Sequence, residues 1–214
     1  MFALNCSRAG MGSMNENRVS FAKRLLDVIE HDIVPLTEVG VRAGNKVFGA
    51  AILRKSDLSL VIAGTNSETE NPLWHGEVAT LKRFYEMPAD ARPLTSDCIF
   101  LTTHEPCSLC LSAITWAGFD NFYYFFGYED TRDAFNIPHD LKILQQVFDI
   151  EGGAYRRQND FWTSHDLIAL VDCGEKGEAG GDELSAQVAR IKCVYDALSE
   201  VYQSAKGDSA IPLS

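Results

Sequence analysis

Cys98-Ile99-Phe100-Leu101-Thr102, then Glu105-Pro106-Cys107-Ser108-Leu109-Cys110, then, past Gly118, Asn121-Phe122-Tyr123-Tyr124-Phe125-Phe126 is the stretch that decides the fold. An apolar, partly β-branched run reads as a buried strand, Pro106 opens a helix that stops at Gly118, and an aromatic-rich strand follows. Strand, helix and strand in this order predict a parallel crossover. Working outward, Val47 to Leu53 and Leu58 to Ala63 are two apolar runs joined by Arg54-Lys55-Ser56-Asp57, which reads as a hairpin. From Asn17 to Val34, Phe21, Ala22, Leu25, Leu26, Ile29 and Ile33 recur at helical steps, so a first helix is expected to end before Pro35. A polar loop from Gly64 to Pro72 leads to Trp74-His75-Gly76-Glu77 and a helical pattern, and Pro138 to Phe148 reads as another helix. The sum is a three-layer α/β/α sandwich with a mixed central sheet and a C-terminal helical extension. Residues 1–153 form its main part; residues 154–214 are the extension, with an acidic glycine-rich linker at 174–182 and a helix at 183–205, packed on the same domain.

Composition sets bounds on function. The chain has 214 residues, and 19 Lys and Arg against 30 Asp and Glu give a net charge of −11. An excess of carboxylates opposes a long nucleic-acid track, since phosphate is neutralised by Lys and Arg. No apolar run approaches the roughly 18 residues of a membrane span, and Met1 to Gly10 lacks the pattern of a secretory signal, so a cytoplasmic protein with no membrane partner is expected. Of the six cysteines, Cys6, Cys98, Cys173 and Cys193 read as free thiols, and Cys107 and Cys110 stand at a chemically suggestive spacing. His31, His139 and His165 read as surface or capping residues.

His75, Cys107 and Cys110 supply one imidazole and two thiolates, the donor set of a catalytic zinc that keeps its fourth position open. Cysteines three apart share a helix face, and the unpaired N–H groups of a first turn favour thiolate. In mid-helix, His75 and Glu77 would point about 200° apart, so both can face one metal only at a helix start. Glu77 is then the proton shuttle beside the metal. The alternative is a non-catalytic structural zinc module completed by His104 or Cys98, in which Glu77 would have no purpose.

The pattern His-x-Glu followed by Pro-Cys-x-x-Cys resembles that of zinc-dependent nucleobase deaminases. Through His75-Gly76-Glu77 and Glu105 to Cys110, the sequence is similar to the cytidine deaminase superfamily over roughly residues 45–149. Residues 107–126, with Glu129-Asp130, look most like bacterial guanine deaminases and their relatives, the tRNA adenosine deaminases. Gly76 departs from the alanine usual in those relatives and is similar to fungal cytosine deaminase. The resemblance implies one Zn2+ per chain, hydrolytic release of ammonia from a free nucleobase or nucleoside, a guanine-like purine as the favoured ring, and a homodimer. Cytosine, another amino-substituted ring such as a triazine, and tRNA adenosine are the alternative substrates it implies, the last opposed by the charge. It also implies that Asn66 holds the base and that an acid near Asp133 or Asp140 sets specificity. Trp116, Phe161 and Trp162 are candidate pocket walls that could stack on a planar ring, and Trp74, Phe125 and Phe126 belong to the same set, with core packing as the ordinary alternative.

Overall fold

The computed structural model describes residues 8–172, 181–208 and 211–213. A five-stranded sheet in the order β2-β1-β3-β4-β5 is its centre, with β1 (Gly49–Arg54), β2 (Leu60–Thr65), β3 (Cys98–His104), β4 (Asn121–Phe126) and β5 (Thr163–Asp166). β1 pairs antiparallel with β2 and β3, while β3 with β4 and β4 with β5 are parallel, so the sheet is mixed. The hairpin turns at Leu58, which takes φ of 57°.

Period-two alternation divides the sheet between two cores. Ala50, Ile52, Cys98, Phe100 and Phe122 point to one side, where they meet α3 (Gly76–Glu86) and α4 (Ser108–Ala117) through Leu81, Phe84 and Ile114. Ala51, Leu53, Ile99, Leu101 and Phe125 point to the other, under α1 (Arg8–Val28), α2 (Val34–Arg42), α7 (Leu167–Asp172) and α8 (Gly181–Ala205). α8 lies against α1, α2 and α7 and buries Leu184, Ile191, Tyr195, Leu198 and Tyr202. The two short helices α5 (Tyr128–Asp133) and α6 (His139–Phe148) follow β4 on the way to β5. Three layers therefore enclose the sheet, as the sequence predicts.

Three local features correct the sequence reading. The first helix does not stop before Pro35: Ile29–Ile33 widens into a π turn, and the Val34 N–H reaches back to the Ile29 carbonyl. Pro35, which has no N–H to give, then sits in the first turn of α2, where none is needed. The C-terminal helix starts at Gly181, not Glu183, and residues 174–180 of the expected linker lie outside the described residues, as do Cys6 and Cys173. Finally, β5, α5 and α7 are present where no periodic pattern announced them. Among the described residues no helix is long and apolar enough to cross a membrane, and Cys98 (buried) and Cys193 (exposed) are free thiols.

Candidate metal centre and its cavity

Two helix starts face each other at one end of the sheet. His75 is the N-cap of α3, with φ −57° and ψ 160°, and Cys107 is the N-cap of α4, with φ −64° and ψ 172°. Non-helical backbone at these caps lets His75 and Glu77 turn to one point, as their spacing requires. Gly76 makes the approach possible: a Cβ there would lie 2.6 Å from the Phe48 carbonyl oxygen and 2.9 Å from the Gly49 nitrogen. The departure from alanine thus has a cause in this chain, because α3 begins directly against the backbone of β1.

The ligand atoms of His75, Cys107 and Cys110 all lie within 4.8 Å of one another, and among the described residues they are the cluster suited to a metal ion. His75 Nδ1 is 3.4 Å from Cys107 Sγ and 3.7 Å from Cys110 Sγ. A tetrahedron with zinc–sulfur and zinc–nitrogen bonds of about 2.3 and 2.0 Å has an S···N edge of about 3.5 Å. The donor types and spacing therefore fit zinc. The other imidazole nitrogen, Nε2, faces Glu68 Oε1 at 3.6 Å, the carboxylate–histidine arrangement that orients metal-ligating imidazoles.

The protonation of these groups shows how strongly they interact. Cys107 is held well below the ordinary thiol range by the hydrogen bond from Cys110, against burial, with His75 adding to the effect. Burial pushes Cys110 well up, and the Cys107 thiolate pushes it further. Burial alone would lower His75, yet its hydrogen bond to Cys107 and the neighbouring negative charges raise it to about 9. Burial, then the Cys107 charge, raises Glu77 to about 7. Its carboxylate accepts from Thr102 Oγ1 at 3.2 Å and from Cys110 Sγ at 3.3 Å.

Neither proposed fourth ligand reaches this cluster. Cys98 is buried in the core at the far end of β3. His104 is caged by Phe48, Phe126, Phe135 and Tyr195 at ring distances of 4.7 to 5.5 Å, with Nδ1 on Thr103 Oγ1. Burial lowers it to about 3, so the ring stays neutral.

A cavity of about 370 Å³ opens on His75 and Cys107. Phe48, Leu73, Ile137 and Ile143 give it apolar walls; Lys46, Glu68, Ser108, His139 and Asp140 are its polar side chains beside His75 and Cys107; Pro212 and Leu213 close part of the rim. Of the sequence candidates for substrate contact, Asp140 lines this cavity, its carboxyl pushed well up by burial and by Cys107. Asn66 is buried beside it and hydrogen-bonded within the protein: Oδ1 accepts from the backbone N–H groups of Lys46 and Glu68, and one N–H of Nδ2 donates to Glu68 Oε2 at 2.6 Å. The remaining candidates are elsewhere, with Phe125 and Phe126 in the second core and Trp74 under the Lys82 ammonium. Asp133 is paired with Arg132 on the surface, Trp116 is 90% exposed and Phe161 is 66% exposed. Trp162 is buried against Phe122, its Nε1 donating to Thr115 Oγ1. Trp116 follows Cys110 by six residues, which carries its side chain away from the first turn and onto the outer face of α4.

Sequence reasoning missed Lys46, Glu68 and Thr102. The available signal was a lysine at the entry of an otherwise apolar strand, where a charge needs a buried partner. It also missed the support behind the metal loop: buried Glu105 pairs with Arg157, accepts from the Tyr155 hydroxyl at 2.8 Å and accepts from the Tyr128 N–H at 3.1 Å. That carboxylate ties the turn before α4 to the loop that precedes β5.

Residues 35–126 match the cytidine and deoxycytidylate deaminase zinc-binding region. The chain is 33% identical over 104 residues to a guanine deaminase of Bacillus subtilis (strain 168), an overlap that covers 47% of this chain and 64% of that protein. It therefore spans somewhat less than two thirds of that curated relative's length. Among solved structures, the guanine deaminase of Bacillus subtilis superposes with a TM-score of 0.46 at 26% identity, covering 59% of this chain and 81% of that one. The guanine deaminase of Nitrosomonas europaea gives 0.45 at 18% identity, covering 75% and 81%.

Proposed function

We propose, from the match of residues 35–126 to the cytidine and deoxycytidylate deaminase zinc-binding region, that the protein is a hydrolytic deaminase of a small nucleobase or nucleoside, with a guanine-like purine favoured. The observation that carries the reading is a buried carboxylate, Glu77, beside a three-donor metal cluster to which no fourth protein ligand comes among the described residues. Zinc held by His75, Cys107 and Cys110 would supply the positive centre that makes a water acidic near neutral pH. Glu77 takes the proton of that water as the oxygen adds to the ring carbon bearing the exocyclic amine. It passes the proton to the adjacent ring nitrogen, then carries a second from the added hydroxyl to the amine. Ammonia leaves, and the carbon keeps a carbonyl. Water is consumed and ammonia released, so no other reactant is needed. A raised carboxyl suits both halves of this work, since near pH 7 it can give as well as take a proton. Thr102 Oγ1 lies 3.2 Å from Glu77 Oε1 and helps to orient that carboxylate.

The Bacillus subtilis relative, whose name is guanine deaminase, supports the purine over a pyrimidine or triazine. The −11 charge opposes tRNA as substrate. We place the protein in the cytoplasm, a reading supported by the free thiols Cys98 and Cys193. We also propose a homodimer, supported by Trp116, 90% exposed on the outer face of α4 with Leu109; sedimentation at the mass of one chain would overturn that assembly. For the activity, the test is Glu77→Gln. Zinc content per chain should stay at the wild-type level while ammonia release from guanine falls by roughly 10²- to 10⁴-fold. Retained turnover removes Glu77 from the reaction, and silence of the wild type across guanine, adenine, cytosine, triazines and their nucleosides removes the deaminase assignment.

A further inference from the structure

We propose that Tyr128 is a positioning residue for the metal loop: its hydroxyl holds the Pro106 carbonyl and so fixes the direction in which Cys107 presents its sulfur. The role needs a metal at the three donors but no particular reaction there.

The two cysteines owe their places to different things. Cys110 sits inside α4 and is placed by the helix, whereas Cys107 is the N-cap, with extended backbone. The Cys107 carbonyl accepts the Leu111 N–H at 2.8 Å, so the carbonyl before it, that of Pro106, lies outside the helical ladder. A buried carbonyl needs a partner. Among the described residues that partner is the Tyr128 hydroxyl, which donates to the Pro106 oxygen at 2.5 Å in a buried contact. The Pro106 carbonyl and the Cys107 N–H belong to one planar peptide unit. Holding the oxygen therefore holds the plane from which the Cys107 side chain departs toward His75.

Tyr128 is itself held at both ends. Its backbone N–H donates to Glu105 Oε2 at 3.1 Å, and Glu105 is anchored in turn by the Tyr155 hydroxyl and Arg157. Its ring lies against Gly153, where a Cβ would come within 2.5 Å of Tyr128 Cδ2 and 3.0 Å of Cε2. Tyr128 thus clasps Glu105 with its backbone and Pro106 with its hydroxyl, the two residues that lead into the ligand. Tyr128, Gly153, Tyr155 and Arg157 all lie beyond residues 35–126, which match the zinc-binding region. The part of the chain that carries the donors is braced by a part that carries none. Without the hydroxyl, the peptide before Cys107 is free to rock, and a metal bound there loses its grip on one of its three donors.

Zinc release from the loaded protein to an excess of chelator tests this without any substrate. Release should be roughly 10- to 100-fold faster in Tyr128→Phe than in the wild type, the range for losing a group that orients a metal ligand. Phe keeps the ring and its packing, and circular dichroism checks the fold. Gly153→Ala crowds the same ring from its other face and should also speed release. Adding it to Tyr128→Phe should speed release no further, since both changes act on one contact. In the cobalt-substituted protein, the thiolate-to-metal charge-transfer band should change in both single variants. Ile191→Ala, which weakens the second core on the other side of the sheet from α3 and α4, should lower the melting temperature and leave both release and band as in the wild type. Release at the wild-type rate in Tyr128→Phe, additive effects in the double variant, or equal acceleration by Ile191→Ala would each overturn the proposal. Any of these would leave the deaminase reading standing, and a protein that releases no ammonia yet shows the expected zinc kinetics would keep the clasp.

Discussion

His104 shows how far one side chain can depart from its solution chemistry. Four aromatic rings surround it, Nε2 has no hydrogen-bond partner among the described residues, and burial lowers its pKa from 6.5 to about 3. Between those values the unfolded chain binds a proton that the folded chain refuses. The stability tied to His104 is therefore fully present above pH 6.5 and drains as the pH falls toward 3, at a limiting slope of about 1.4 kcal/mol per pH unit. His104→Phe should flatten that part of the acid limb, seen as a smaller drop in urea midpoint between pH 6.5 and 5 than in the wild type. An unchanged slope would mean the ring already titrates in the folded state. At this scale the metal ligands and Glu77 were legible in the sequence, because donor type and spacing are chemical constraints. The partners of Lys46, Thr102 and Glu105 were not, because each lies more than twenty positions away on another element.

The seating of α3 on β1 is a matter of elements. Gly49 and Gly64 on the strands and Gly76 on the helix all lack room for a Cβ: at Gly64 the Thr80 hydroxyl would be 2.4 Å away, and at Gly49 the Ile33 methyl would be as close. Backbone is the obstacle only at Gly76, where no rotamer can move aside. Gly76→Ala should push the start of α3 off the sheet, lowering stability by about 1–3 kcal/mol and reducing zinc bound per chain. Thermal unfolding and metal analysis of the purified variant measure both, and an unaltered melting temperature with full zinc would show that β1 yields instead. Legibility at this scale followed pattern. β1 to β4, α3, α4 and α6 carry enough apolar residues to be read, whereas β5 is a four-residue strand of polar side chains and α5 and α7 have six residues each, under two helical turns. The run through Pro35 was misread because a π turn has no pattern of its own; it is a local answer to a missing donor.

For the whole molecule, the layer formed by α1, α2, α7 and α8 is what closes the second core. Ile191 and Tyr195 are fully buried there, and Gln187 reaches Asp27 and Glu30 from α8. Ile191→Ala should cost about 2–5 kcal/mol, a large part of the 5–15 kcal/mol typical of a domain. Urea unfolding should then show an earlier midpoint with an unchanged m-value; a shift below 1 kcal/mol would mean that α8 lies loosely on its neighbours. The architecture was legible from the order of strands and helices, since a crossover between parallel strands leaves few ways to layer a chain. The docking of α8 was not, because an amphipathic helix shows that it has a partner without showing which. Its far end carries a consequence for biosynthesis. Every ligand of the metal cluster has been synthesised by Cys110, but Pro212 and Leu213 stand at the cavity rim. The ribosome must therefore translate nearly the full described length before the pocket has its wall, and a nascent chain would own the chemistry well before it could enclose a ring.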